Sequence, residues 1–467
     1  MNTTPAPSRA ELLTMLGSLA VTDAENRARG CSNPIRLRGT SIHVDAATGQ
    51  VVHTYSSADE RDGYTYARCG DRRAAVCPSC SHEYKGDAWH LLMCGLSGGK
   101  GVPGTVTEHP ATFVTLTAPS FGPVHRYTPP RPGGRTPACR ARRDRPVCPH
   151  GRPLSCPRRH DADDPQVGQP LCGQCYDYPA HVLWQWHAPE LWRRFTIALR
   201  RNLARRVGIT VKTLTQLARV SYTKVVEFQA RGAIHIHAVI RLDGPTGPDS
   251  PPAALLDASD LEHAVHAAAG HVTLDVPSLD GHALRLRWGE QVDTRTITTG
   301  AGRDTRTGPA HPEQVAAYLA KYLTKSTEDF GLPVRVRSAA SAAAAGATPH
   351  VVRIIDTAAR LAATHEDYRP ILRRLATLGY RGHPITKSRA YSVTFGSLRS
   401  ARREWRHERP ALDPDAPVRE VLDADINDLT HAHTVIVLSE WTYAGRGYLD
   451  NPSAALAIHS AVQARTR

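Results

Sequence analysis

The stretch YTKVVEFQARGAIHIHAVIRL, residues 222–242, decides how the chain folds. It reads as two β-rich runs, Val225-Val226-Glu227-Phe228 and Ile234-His235-Ile236-His237-Ala238-Val239-Ile240, joined by the polar turn Gln229-Ala230-Arg231-Gly232. Side chains two apart on a strand share a face. His235 and His237 therefore project together, while Ile234, Ile236 and Ala238 turn into a core. A three-residue hairpin loop sets Glu227 opposite Ala233 and on the histidine face; a two-residue loop flips it to the other side. Two imidazoles and a carboxylate converging on one point make a site for a divalent cation.

The second element is PEQVAAYLAKYLTKSTEDF, residues 312–330. Pro312 suits a first helical turn, and Val315, Ala316, Leu319, Ala320 and Leu323 recur at helical spacing. Tyr318 and Tyr322 fall on one face, and Lys321 and Lys325 each follow a tyrosine by three positions. The chain has seven lysines against fifty-one arginines. A buried helix edge explains two tyrosines; it does not explain two Tyr-x-x-Lys units in register. Upstream, Thr112-Phe113-Val114-Thr115-Leu116-Thr117 reads as a strand that Ala118-Pro119 terminates.

With these three elements in this order, the chain resembles the HUH endonucleases, and most closely the rolling-circle replication initiators of actinobacterial plasmids and integrative elements. The resemblance rests on FVTLT (113–117), EFQARGAIHIH (227–237) and YLAKYLTK (318–325), and extends over most of the chain through its cysteine-rich stretches. It implies an α+β fold, an antiparallel sheet flanked by helices with the hairpin in its middle. It assigns a Mg²⁺ or Mn²⁺ ion to His235 and His237, completed by Glu227 or another acidic side chain; the histidines suit Mn²⁺. It implies attack by a tyrosine on one DNA strand, leaving a 5′-phosphotyrosine and a free 3′-hydroxyl. Residues 320–325 are similar to the catalytic stretch of single-tyrosine initiators. That ranks Tyr322 first, with Tyr318 taking the strand in the closing transfer. Lys325, with Lys321 one turn earlier, would neutralise the phosphate.

A transposase or conjugative relaxase uses the same chemistry and stays open as an alternative. A non-catalytic zinc-containing DNA-binding regulator leaves the hairpin and tyrosine helix unused. A two-His-one-carboxylate iron oxygenase needs neither that helix nor a basic chain.

The net charge of +14 and pI near 9.5 call for a polyanionic partner, first of all nucleic acid: a double-stranded origin and a single-stranded nick site. No G-x-x-x-x-G-K-[ST] loop occurs, so a host helicase and a host polymerase are expected partners. No apolar run reaches the roughly 18 residues of a membrane span, and MNTTPAPSRAELL lacks signal-peptide character. A cytoplasmic protein is expected, in which the ten cysteines are metal ligands or free thiols rather than disulfides.

Three parts are expected. Residues 1–105 form a zinc-ribbon-like module, with Cys77 and Cys80 joined by Cys31 and Cys69 around Zn²⁺; His82 and Cys94 compete for those places. Strand-like 43–57 suits its small ribbon. Residues 106–338 form the nicking domain, with a Pro- and Arg-rich insertion at 122–179. Nine arginines lie within 131–159. Cys148, Cys156, Cys172 and Cys175 make a second Zn²⁺ set, with His150 and His160 as alternates and Cys139 nearby. Without such a staple the insertion has too little apolar content to fold. Helices are expected at 190–206 and 253–270, strands at 271–274 and 283–288, a polar loop at 294–309, and Trp184, Trp186 and Trp192 in the core. Residues 348–467 form a mixed helical and strand domain. Its basic, aromatic 379–392 either touches DNA or is a solvated loop, and 434–438 is a buried strand.

Overall fold

The computed structural model describes residues 28, 30–60, 62–131, 133–298, 308–324, 330–333, 335–408, 435–449 and 453–459. They form a mixed α+β protein. Along the chain come β1 (Ile35–Asp45), β2 (Val51–Ser56), β3 (Thr65–Ala67), α1 (Pro78–Ser97) and β4 (Ala111–Leu116). Next are α2 (Tyr178–Arg206), α3 (Val211–Leu217), β5 (Arg219–Phe228), β6 (Ile234–Asp243) and α4 (Ala258–His271). Then follow β7 (Thr273–Pro277), β8 (Ala283–Arg287), β9 (Val292–Thr296) and α5 (Pro312–Leu323). After them lie α6 (Ala339–Ala344), α7 (Pro349–Thr364), β10 (Ile385–Lys387), α8 (Phe395–Glu408) and β11 (Val435–Arg446).

The chain divides into two compact units. One draws on Met1–Leu91, Gly99–Gly101 and Val393–Arg467; the other comprises Leu92–Gly98 and Val102–Ser392. In the first, β1 is the middle of an antiparallel sheet ordered β11-β1-β2, and β3 pairs with the first residues of β1. The pairing of β1 with β11 runs from Ile35↔Arg446 to Asp45↔Val435. The expected boundaries at 105 and 348 therefore do not describe this sheet, which joins strands from both ends of the chain. A pairing over such a sequence distance leaves no local signal. Ile436, Val437 and Leu438, read as buried, are 50%, 54% and 58% exposed.

The second unit is built on a five-stranded antiparallel sheet, ordered β10-β5-β6-β4-β9, with β6 in the middle. One face carries Ile234, Ile236, Ala238, Ile240 and Leu242, all buried in the main core with Trp184, Phe195 and Leu199 of α2 and Leu261 and Val265 of α4. Register puts Phe113, Thr115, Val225, Glu227, His235, His237 and Val239 on the opposite face. There α5 buries Val315, Ala316, Leu319, Ala320 and Leu323, and Tyr318 meets Phe113 edge-on at 6.0 Å. The polar end of β6 is pinned by a buried network. Arg241 Nε donates to Asp243 Oδ1 at 2.6 Å, and His109 Nδ1 lies 2.8 Å from the same oxygen.

Several expected boundaries move. α2 begins at Tyr178, not at 190, and runs through Pro189. The Asp177 side chain caps it by accepting from Ala180 N–H, and buried Trp184, Trp186 and Trp192 fix the helix on the core, so losing one hydrogen bond at Pro189 does not break it. β7 and β8 make a separate ribbon rather than extending the main sheet. Its edges come from polar stretches instead: β9 overlaps the expected loop, and β10 lies in the basic segment 379–392. Tyr380 and Tyr391 of that segment are 3% and 0% exposed and belong to the protein's interior. The long helix expected over 350–378 is α7 followed by a 3₁₀ stretch, Glu366–Thr377, closed by left-handed Leu378.

Candidate active and metal sites

The hairpin register places Glu227 directly opposite His235. It sits two residues beyond the expected Ala233 partner, with the same parity, so Glu227 stays on the histidine face. The turn closes as Gln229 N–H donates to Ala233 O at 2.9 Å, and Gly232 takes φ +79°, a left-handed value that glycine adopts without strain. Buried Gln185 of α2 clamps both sides: its Nε2 donates to Gly232 O at 2.9 Å, and its Oε1 accepts from Ile234 N–H at 3.1 Å. Arg231 ties the turn to the end of β4, donating to Pro119 O and Ala118 O at 3.1 and 3.2 Å.

Glu227, His235 and His237 each offer a ligand atom within 4.8 Å of the others. His237 Nε2 lies 2.7 Å from Glu227 Oε2, and its Nδ1 meets the Thr115 hydroxyl at 3.0 Å. Phe113 stacks on the same ring at 5.9 Å, so the imidazole is fixed on both edges and on one face. Burial, then the neighbouring His237 and Arg231 charges, push the His235 pKa down to about 3. That keeps its lone pair free, the form a metal requires. Phe113 and Thr115 belong to the FVTLT motif, but the sequence assigns neither of them a role at the site.

Both tyrosines of α5 reach this centre. Tyr318 and Tyr322 lie 5.3 and 6.2 Å from the His237 ring and 4.8 Å from each other, centroid to centroid. Burial raises both phenol pKa values, and the Glu227 charge raises them further. Tyr318 is 39% exposed. Lys321 is exposed on the same helix; Lys325 lies outside the described residues. Beside His235 opens a groove of about 440 Å³, lined by Thr117, Arg140, Arg231, Arg287 and Trp288 among others. A second groove, about 560 Å³, is lined by Arg193, Arg194, Arg201, Arg205 and His271.

The cysteines gather in three places. Cys31, Cys69, Cys77 and Cys80 converge, with sulfur–sulfur separations of 3.6 and 3.7 Å; His82 and Cys94 are not among them. Cys148, Cys172 and Cys175 converge with His150, whose Nδ1 is 3.2 Å from Cys175 Sγ. Cys156, expected in that set, lies instead with His125, Cys139 and His160. The cause is a pair of backbone hydrogen bonds that bridge Cys156 to Arg140, next to Cys139.

A buried histidine supports the hairpin turn and sets a pH dependence. His350, 2% exposed, meets the Tyr178 hydroxyl at Nδ1 and donates from Nε2 to Arg231 O, at 3.1 and 3.0 Å. Burial lowers its pKa to about 4. Between the ordinary histidine value and that one, the unfolded chain takes up a proton that the folded chain refuses. Stability is therefore full above pH 6.5 and falls as pH drops toward 4, by about 1.4 kcal/mol per unit for this group. Urea unfolding from pH 7 to pH 5 should show a shallower loss in His350→Gln than in wild type; equal slopes would refute this.

No helix among the described residues is long and apolar enough to cross a membrane. No solved structure matches the chain. The chain is 39% identical over 446 residues to a replication initiator protein of Streptomyces ambofaciens, covering 93% of this chain and 88% of that protein. Residues 19–462 match the RepSA family, described as the replication initiator protein of pSAM2. With almost its whole length matched by both, the chain belongs to this family of replication initiator proteins.

Proposed function

We propose that the protein binds its origin, starts rolling-circle replication by nicking one DNA strand as a tyrosine-type HUH endonuclease, and ends it by rejoining that strand. The observation that carries this reading is the facing of Tyr318 and Tyr322 with the Glu227, His235 and His237 donor set across one side of the sheet. Mg²⁺ or Mn²⁺ suits these donors, two imidazole nitrogens and a carboxylate oxygen. When bound, such an ion polarises the scissile phosphate and offsets developing charge.

The chain's own residues supply the rest. The Tyr322 oxygen forms a bond to phosphorus as the bond from phosphorus to the 3′-oxygen breaks. The phenolic proton passes to solvent, and the departing 3′-oxygen takes up a proton to become a 3′-hydroxyl. A host polymerase extends that end while a host helicase opens the duplex. Burial, and then the Glu227 charge, favours the protonated form of both phenols, so an ion that neutralised Glu227 would ease loss of the phenolic proton. Tyr318, on the same helix face, takes the strand in the closing transfer. Arg193, Arg194, Arg201 and Arg205 suit phosphate contacts on duplex DNA. Structural Zn²⁺ ions suit the Cys31/Cys69/Cys77/Cys80 and Cys148/His150/Cys172/Cys175 sets.

The test is labelled single-stranded origin DNA with Mn²⁺. A protein–DNA adduct that survives denaturation and disappears with EDTA supports the reading. Retained DNA binding without any adduct leaves a non-catalytic initiator and defeats it.

A further inference from the structure

The insertion between Phe121 and Tyr176 has almost no apolar interior. Among the described residues from His125 to Cys175, the buried side chains are Cys139, Cys148, Cys156, Cys172 and His160. Among the described residues between Phe121 and Tyr176, none is a buried member of the main core, and half-buried Val124 packs against it. A segment of that composition cannot offset its own ordering entropy by hydrophobic burial. Yet it is folded against the hairpin: a Cβ on Gly168, which has φ +87°, would sit 2.2 Å from Ala230 O in the turn. The Cys148/His150/Cys172/Cys175 set can tie down only part of this segment.

The geometry points to a third zinc site, formed by His125, Cys139, Cys156 and His160. A tetrahedral zinc with sulfur at about 2.3 Å and nitrogen at about 2.05 Å has ligand–ligand edges of about 3.3 Å for N–N and about 3.6 Å for S–N. His125 Nδ1 and His160 Nε2 lie 3.2 Å apart; Cys156 Sγ is 3.6 Å from His160 Nε2, and Cys139 Sγ is 3.9 Å from His125 Nδ1. Two features outside the four ligands support the assignment. Asp164 Oδ2 lies 2.7 Å from His160 Nδ1, the carboxylate–histidine pairing that orients a ligand imidazole and leaves Nε2 to the metal. Arg126 N–H points at Cys139 Sγ from 3.2 Å, a donor suited to a thiolate. Hydrogen bonding among four neutral side chains explains one or two of these contacts, not their convergence.

The site has a structural consequence. Arg140 follows ligand Cys139, exchanges backbone hydrogen bonds with ligand Cys156, and donates from Nε to Val124 O at 2.8 Å. Its side chain lines the groove beside His235. Zinc here holds one wall of that groove, independently of what the groove binds.

The experiment is zinc analysis of the full chain purified without added metal. Three zinc ions per chain are expected in wild type, and one fewer in Cys139→Ser/Cys156→Ser. A separate loss of one in Cys148→Ser/Cys172→Ser would show that the two sets fill independently. Unchanged zinc content in Cys139→Ser/Cys156→Ser overturns the assignment. Should that variant fail to fold, X-ray absorption at the zinc edge of wild type decides. Three filled sites average three sulfurs and one nitrogen per zinc; the other two sites alone average three and a half sulfurs and half a nitrogen, which would also overturn it.

Discussion

Alanine at His235 or at His237 should lower the nicking rate by at least about 10²–10³-fold, the range for removing one electrostatic stabiliser from a reaction centre, while duplex affinity is unchanged. Both imidazoles project from the face of β6 opposite the core, so truncation leaves Ile234, Ile236 and Ala238 packed as before. His237 should be the more severe, because Glu227, Thr115, Phe113 and both tyrosines all meet its ring. The basic groove on α2 and α4 contains neither histidine, so affinity and cleavage should separate. Cleavage of labelled origin DNA beside a gel-shift titration reads both quantities. Undiminished cutting by both variants would remove the metal assignment.

The second large effect concerns the tyrosines. Tyr322→Phe deletes the proposed nucleophile and should take the initial adduct below detection; losing an attacking side chain costs about 10⁶-fold in a well-studied hydrolase. Tyr318→Phe should still cut and become covalently attached, yet fail to release unit-length circles. Ring distances alone do not choose between the two, since Tyr318 lies nearer the His237 ring and Tyr322 a little farther. The ranking rests on the sequence around Tyr322. Single-turnover cleavage by each variant tests it. Normal cutting by Tyr322→Phe with none by Tyr318→Phe reverses the order, and equal cutting by both makes them interchangeable.

Alternation along β6 was enough to put His235 and His237 on one side, because a strand's period leaves only two choices of face, but it left the side of Glu227 to the hairpin's register. The hairpin's register was not legible. It is set by Gly232 in its left-handed turn and by the Gln185 clamp from a helix far away in sequence. The tyrosine helix is legible in its apolar spacing and Pro312, whereas Pro189 masks the first turns of α2 in the sequence. Edge strands β9 and β10 leave no signal in the sequence, since an edge needs no apolar alternation, only a neighbour to pair with. The cysteine spacing located the C-x-x-C pairs, but a lone His125 in a proline-rich segment gives no sign of being a ligand. Only folding brings it within 3.2 Å of His160.

The central claim is that a tyrosine of α5, held beside His237, takes the DNA phosphate. Mass spectrometry of the DNA-linked peptide from wild-type protein, trapped on single-stranded origin DNA with Mn²⁺, tests it most directly. The phosphate is expected on Tyr322. Phosphate on a tyrosine outside Pro312–Leu323, or cleavage with no covalent peptide at all, would contradict it.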